Sequence, residues 1–193
     1  MKISSGWSKG LKILTPEGMD TRPTRERVRQ AAINMLQPWI AGSSILDLFA
    51  GSGAVGIELA SRGGSGARFI ESSSKAIKCL QANALEAHGR AIKQGISLDP
   101  WQVIAGDVYI LIKGERADVY DLIWADPPYE MVAGFLEAAG GEIARILKSG
   151  GVFVLESAGD IETVTQSWGA QFGLDLVKQR RFGVSLISIW QKN

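Results

Sequence analysis

The amino-acid sequence predicts an α/β fold: a mostly parallel, doubly wound, seven-stranded sheet that ends in an antiparallel hairpin, with a small hairpin-plus-helix extension before it. Three observations carry this. From Ser43 onward, short runs rich in Ile, Val and Leu alternate with longer helical periods, the pattern of strands joined by helical crossovers. The last two strand-like runs are separated by a link too short for a crossover. The 193 residues suffice for one α/β domain of about 150 residues plus an extension, and are too few for two ordinary domains.

In chain order, Ile3–Leu14 reads as strand-like and Thr15-Pro16-Glu17-Gly18 as a turn. Thr24 is placed to cap a helix in which Arg27, Val28, Ala31, Met35 and Leu36 recur at helical spacing, and Pro38 predicts its stop near Gln37. Strands follow at Ser44–Phe49, Ala67–Glu71, Trp101–Ala105, Val119–Ala125 and Gly151–Glu156. Helices are predicted between them at about 53–62, 73–88, 130–147 and 160–168, with a short one near 107–113. Ala170–Lys178 and Val184–Gln191 form the closing hairpin around Gln179-Arg180-Arg181-Phe182-Gly183. The division expected is an N-terminal extension over 1–40 and a ligand-binding domain over 41–193.

Composition narrows the class. Hydrophobic residues make up 46% and charged residues 21%, so a packed core is expected, and a net charge of +1 excludes a generally basic nucleic-acid binder. The charge is unevenly divided, however. Residues 1–40 hold seven basic and three acidic side chains, against 14 and 17 in the remainder. The single cysteine, Cys79, excludes an internal disulfide and a multi-cysteine metal site. It reads as a small buried side chain, and the solitary His88 as a surface residue at a helix end. No apolar run approaches the ~18 residues of a membrane span, and MKISSGWSKG lacks the apolar stretch of a secretory signal, so a cytoplasmic protein is expected.

The chemistry is concentrated at strand ends. Asp47-Leu48-Phe49-Ala50-Gly51-Ser52-Gly53 runs from a strand through a glycine loop into a helix, where glycines permit close backbone approach and the first amides lack internal partners. Gly51, Gly53 and Gly56 also satisfy G-x-G-x-x-G, so a dinucleotide is one reading. Asp47 favours another, because a carboxylate at the strand mouth suits a ligand carrying an ammonium and a sulfonium; its alternative role is to fix the loop by accepting backbone N–H groups. Glu71, 18 positions after Gly53, is near the spacing at which an acid accepts ribose hydroxyls. Asp107 is placed either to accept from an adenine amino group or to cap the next helix.

After the fourth strand stands Asp126-Pro127-Pro128-Tyr129. Two prolines make a rigid corner that presents carbonyl oxygens and the flanking side chains. This tetrapeptide resembles that of the N-methyltransferases of exocyclic base amines, which are class I, Rossmann-like enzymes dependent on S-adenosylmethionine (SAM). The resemblance assigns Asp126 and the Pro127 carbonyl to the amine N–H groups and Tyr129 to stacking on the base. With Gly6-Trp7-Ser8-Lys9-Gly10-Leu11-Lys12 and Thr21-Arg22-Pro23-Thr24-Arg25-Glu26-Arg27-Val28-Arg29-Gln30, the chain resembles the RsmD family over essentially its whole length.

That resemblance implies transfer of a methyl group from SAM to N2 of a guanine in small-subunit ribosomal RNA, in a partly assembled particle, with no metal and no membrane. It implies a cofactor site of Asp47, Phe49, Ala50, Gly51, Ser52, Gly53, Glu71 and Asp107. Lys9, Lys12, Arg22, Thr24, Arg25 and Arg29 are expected to meet RNA phosphates, since arginine forks match phosphate oxygens; a solvated helix face is the alternative for the arginines. Lys178, Arg180 and Arg181 are candidates to extend the patch, and Trp7 to stack on RNA. Ser4, Ser5 and Leu11 make the arm less basic than is usual in the family. The rival functions are amino-methylation of another RNA, of DNA or of a protein glutamine, an NAD-dependent oxidoreductase, and a catalytically inactive RNA-binding assembly factor.

Overall fold

The computed structural model describes residues 1–16, 23–159, 165 and 167–193, residues 23–25 by their backbone alone. Seven strands form one sheet: β1 (Ser44–Leu48), β2 (Gly66–Glu71), β3 (Gln102–Ala105), β4 (Tyr120–Ala125), β5 (Leu147–Ala158), β6 (Leu174–Phe182) and β7 (Ser185–Lys192), in the order β3-β2-β1-β4-β5-β7-β6. The first five run parallel, and β7 is antiparallel to both β5 and β6. Helices α1 (Pro23–Met35) and α2 (Gln37–Ile40) precede β1, and the crossovers are α3 (Ala54–Ser61), α4 (Ser74–Lys93), α5 (Val108–Leu111) and α6 (Val132–Ile146). The fold class and the closing hairpin are as the sequence predicts.

Alternation along each strand builds two cores. Ile45, Phe69, Trp124 and Val154 face α1 to α4 and the N-terminal arm, whereas Leu46, Ile70, Ile123 and Phe153 face α5, α6 and Trp168. Strand order reverses between β1 and β4. The chain steps outward from β1 to β2 and β3 and returns to β4 on the other side, which opens a crevice at the strands' carboxyl ends. Leu48 pairs with Ala125, so the glycine loop and the Asp-Pro-Pro-Tyr corner leave the sheet side by side.

Several boundaries differ from expectation. Ile3–Leu14 is not a strand; one antiparallel bridge, Lys2 with Lys12, closes a curled loop. The arm's backbone finds its partners in α3 instead: Trp7 N–H donates to Ser61 O, Ser8 N–H to Ser61 Oγ and Ser4 N–H to Glu58. Gly6 permits this docking, with φ +76° and a position where a Cβ would lie 1.7 Å from Ser61 O. α1 ends at Met35, and Pro38 sits in the first turn of α2, where its missing N–H costs no bond. α4 continues through Gly89 to Lys93. Residues 169–172 form a 3₁₀ turn, so β6 starts later and absorbs Arg180, Arg181 and Phe182; the hairpin closes through Gly183 and Val184, with Gly183 at φ +61°. Most of the predicted 160–168 helix lies outside the described residues.

Candidate functional site at the β1–β4 crevice

Each predicted loop acid has defined partners. Asp47 is 1% exposed, and its Oδ2 accepts from Gly56 N–H at 2.9 Å. It therefore lies beneath the loop and fixes it, the alternative the sequence left open. Burial pushes its pKa up to about 7, against the lowering effect of the Gly56 bond and with a smaller upward push from Glu71. Glu71 Oε2 accepts from Gly51 N–H at 2.6 Å, while Oε1 accepts from Ser72 and Ser73 N–H at 2.9 and 2.8 Å. Glu71 thus ties the end of β2 to the glycine loop. Asp107 is exposed at the end of β3 and caps α5, its Oδ1 accepting from Tyr109 N–H at 2.7 Å.

The loop itself is built on unusual backbone angles. Gly51 and Gly53 have φ of +57° and +77°, and Phe49 adopts φ +58°, a left-handed conformation uncommon for residues other than glycine. Phe49 is secured by an edge-on contact with Phe135, ring centroids 5.2 Å apart. Ala50 N–H donates to Ile70 O and Gly53 N–H to Ala50 O.

Asn83 was missed by sequence reading. This buried side chain donates to Ser52 O and Leu14 O and accepts from Leu14 N–H, each at 2.9 Å, so it joins α4, the glycine loop and the end of the arm. The available signal was position: an amide on the buried stripe of Ala76, Leu80 and Ala87 must find partners inside.

The raised pKa of Asp47 has a measurable sign. Ordinarily near 3.8, it stands at about 7 in the folded chain, so across that interval the folded state binds the extra proton. Stability is then greatest below about pH 4 as far as this group is concerned, and is lost as the pH rises through 7. Asp47→Asn keeps an acceptor for Gly56 and removes the titration. Denaturant titrations from pH 4 to 8 are expected to show a shallower decline for the variant than for the parent; parallel curves would contradict this.

At the end of β4 the corner is held from below by Pro127, which is buried, while Asp126 is exposed at its mouth. Tyr129 starts a 3₁₀ turn over 129–131, is 43% exposed, and its hydroxyl lies 3.1 Å from Ser185 Oγ in β7. The arrangement puts an exposed carboxylate and an accessible aromatic ring just after β4, the neighbour of the strand from which the glycine loop leaves, with Glu71 and Asp107 at the ends of β2 and β3.

The expected RNA contacts divide. Lys9 and Lys12 are exposed on the arm. Arg29 is corrected: its side chain is 8% exposed, with Nη1 donating to Ala54 O at 3.2 Å and Nη2 to Lys2 O at 3.1 Å, and Glu58 and Glu26 are each 3.9 Å away. Residue 29 falls on the inner face of α1 with Val28, Ala32 and Ile33, so the fork is engaged by internal carbonyls rather than offered to phosphate. Trp7 is also corrected. Its indole N–H donates to Ala60 O, and its ring lies 6.2 Å from Trp101; it is a peg between arm and domain. His88 is half-buried against the same Trp101 and lies inside α4, and Cys79 is half-buried rather than enclosed. Arg22 lies outside the described residues, as do the side chains of Thr24 and Arg25. In the closing hairpin, the Arg180 guanidinium sits 5.2 Å over the Phe182 ring and Arg181 donates to Gly159 O.

Among the described residues no three His, Cys, Asp or Glu cluster as metal ligands, and no helix is long and apolar enough to cross a membrane.

The family model described as Conserved hypothetical protein 95 matches residues 1–191. The chain is 31% identical to "Putative rRNA methyltransferase YlbH" of Bacillus subtilis over 199 residues, covering 100% of this chain and 99% of that one. It is 29% identical over 143 residues to "Ribosomal RNA small subunit methyltransferase D" of Escherichia coli, covering 71% of this chain and 63% of the relative. Among solved structures, "Putative methyltransferase yhhF from Escherichia coli" superposes with a TM-score of 0.80 at 26% identity, over 100% of this chain and 98% of that one. The architecture is that of the class I methyltransferases.

Proposed function

The chain belongs to the RsmD family, and on that premise we propose that it is a cytoplasmic enzyme that methylates the exocyclic N2 amino group of a guanine in small-subunit ribosomal RNA, with SAM as donor. The observation that carries this reading is the pairing of Leu48 with Ala125, which puts the glycine loop and Asp126-Pro127-Pro128-Tyr129 on adjacent strand ends. The crevice residues fit a cationic nucleoside: Glu71 and Asp107 bring acids to the ends of β2 and β3, and Gly51 and Gly53 supply the positive φ that the loop's turn requires. When bound, SAM supplies an electrophilic methyl group on a sulfonium.

The chain's own residues do the rest. An aromatic amine is a poor nucleophile because its lone pair is delocalised into the ring. The Asp126 carboxylate and the Pro127 carbonyl each accept one N–H of the amine, which favours a pyramidal nitrogen with its lone pair directed away from both. Tyr129 stacks on the base and fixes its plane. Catalysis of this kind is positioning plus electrostatics. A paired guanine must be unstacked to enter, at a cost of a few kcal/mol, so a splayed base within a partly assembled particle is the favoured target.

RNA affinity is assigned to the arm, through exposed Lys9 and Lys12 together with Arg22, Thr24 and Arg25 at the entry to α1. Replacing Lys9 and Lys12 together with glutamine is expected to reduce the slope of log affinity against log salt by about one for each phosphate that is no longer neutralised. An unchanged slope would remove the arm from the interface. The donor is tested by calorimetric titration. SAM and its demethylated product are expected to bind and NADH not to; the reverse order would make the chain an oxidoreductase.

A further inference from the structure

A stacking ring selects a base only if its own plane is fixed. Tyr129 lies in a three-residue turn and is 43% exposed, so packing covers only part of it. Its hydroxyl meets Ser185, whose Oγ lies 3.1 Å away. Ser185 is 7% exposed and opens β7, pairing with Ala158 of β5 on one side and with Phe182 of β6 on the other. Its backbone is thereby held in two ladders. The hairpin is pinned again by Gly159 N–H donating to Val184 O at 2.9 Å, and by the Arg181 guanidinium packed where a Cβ on Gly159 would come within 2.6 Å.

We infer that Ser185 is a positioning residue for Tyr129, so that the β6–β7 hairpin, distant in sequence from the Asp-Pro-Pro-Tyr corner, sets the plane in which the substrate base is held. The inference rests on the stacking role given to Tyr129 above. A phenylalanine at 129 would stack with the same ring face but could not be held by Ser185. The hydroxyl is therefore an orienting group, and its partner shares its effect on substrate affinity.

The test is a double-mutant cycle with two readouts. Ser185→Ala and Tyr129→Phe are each expected to raise the KM for RNA about fivefold with little change in kcat, as removal of one neutral hydrogen bond of ordinary strength would. The double variant is expected to be no worse than either single one, because both remove the same bond, and Ser185→Thr to restore the parent KM. The second readout needs no turnover. The chain has three tyrosines, so ring-labelled tyrosine spectra are simple, and Tyr129→Phe identifies the Tyr129 signals. Ser185→Ala is expected to move those signals and Ser185→Thr to leave them near the parent position. A parent KM or unmoved signals in Ser185→Ala, or single effects that multiply to about 25-fold in the double variant, would overturn the inference. If the parent protein methylates no RNA, the functional reading fails, while the spectra still decide whether Ser185 holds Tyr129.

Discussion

Asp126→Ala is expected to leave SAM affinity close to the parent value and to lower methyl transfer at least about a hundredfold. The magnitude follows from what a single preorganised hydrogen-bonding group aimed at developing charge contributes to catalysis. As the amine nitrogen attacks, it gains positive character, and a carboxylate accepting its N–H stabilises that charge more in the transition state than in the ground state. The acids proposed to meet the cofactor are elsewhere: Glu71 bonds the glycine loop and Asp107 caps α5. Losing Asp126 therefore leaves the expected donor site intact. Asp126→Asn keeps one acceptor oxygen without the charge and is expected to fall between parent and alanine. Calorimetry with SAM beside single-turnover transfer separates binding from chemistry. Normal turnover in Asp126→Ala would remove the residue from the catalytic role.

Arg29→Met is expected to act on stability rather than on RNA affinity. Arg29 joins three parts of the chain, donating from α1 to Lys2 O in the arm and to Ala54 O at the start of α3. It also faces Glu58, a carboxylate with no exposure that accepts from Ser4 N–H at 2.9 Å and from Arg62 at 3.0 Å. Burial draws the Arg29 pKa down, while Glu58 and Glu26 oppose that fall. Methionine fills the same space but removes the side-chain donor from Lys2 O and Ala54 O and leaves Glu58 with less opposing charge. Breaking such a buried pair costs about 3 kcal/mol, or roughly 6–12 °C in Tm for a chain of this size. The salt dependence of RNA binding is expected to match the parent. A variant of parent stability with a flatter salt slope would restore Arg29 to the phosphate-binding set.

Arg29 also marks where the sequence stops being legible. Strand and helix alternation, the glycine loop and the Asp-Pro-Pro-Tyr corner are local patterns, and local patterns survive reading one residue at a time. The two-sided core followed from them. Whether an arginine in a basic helix faces solvent depends on what lies opposite, and here that is Glu58, 29 positions later on another helix. Trp7 is the same case, its partners Ala60 and Trp101 lying far along the chain. The arm's failure to form a strand has a like cause, since α3 offers Ser61 and Glu58 as hydrogen-bond partners that no local pattern reveals. Asn83 and Ser185 were both present as plain polar residues. Their roles come from long-range geometry: one bridges the arm and the glycine loop, and the other meets the hydroxyl of Tyr129.

The most direct test of the central claim is nucleoside analysis after methyl transfer. Small-subunit particles lacking the modification are incubated with the protein and methyl-labelled SAM, and the RNA is digested to nucleosides and resolved by mass. The label is expected as N2-methylguanosine, lowered at least about a hundredfold by Asp126→Ala. Label recovered on adenine, cytosine or protein, or no transfer from a preparation that demonstrably binds SAM, would contradict it.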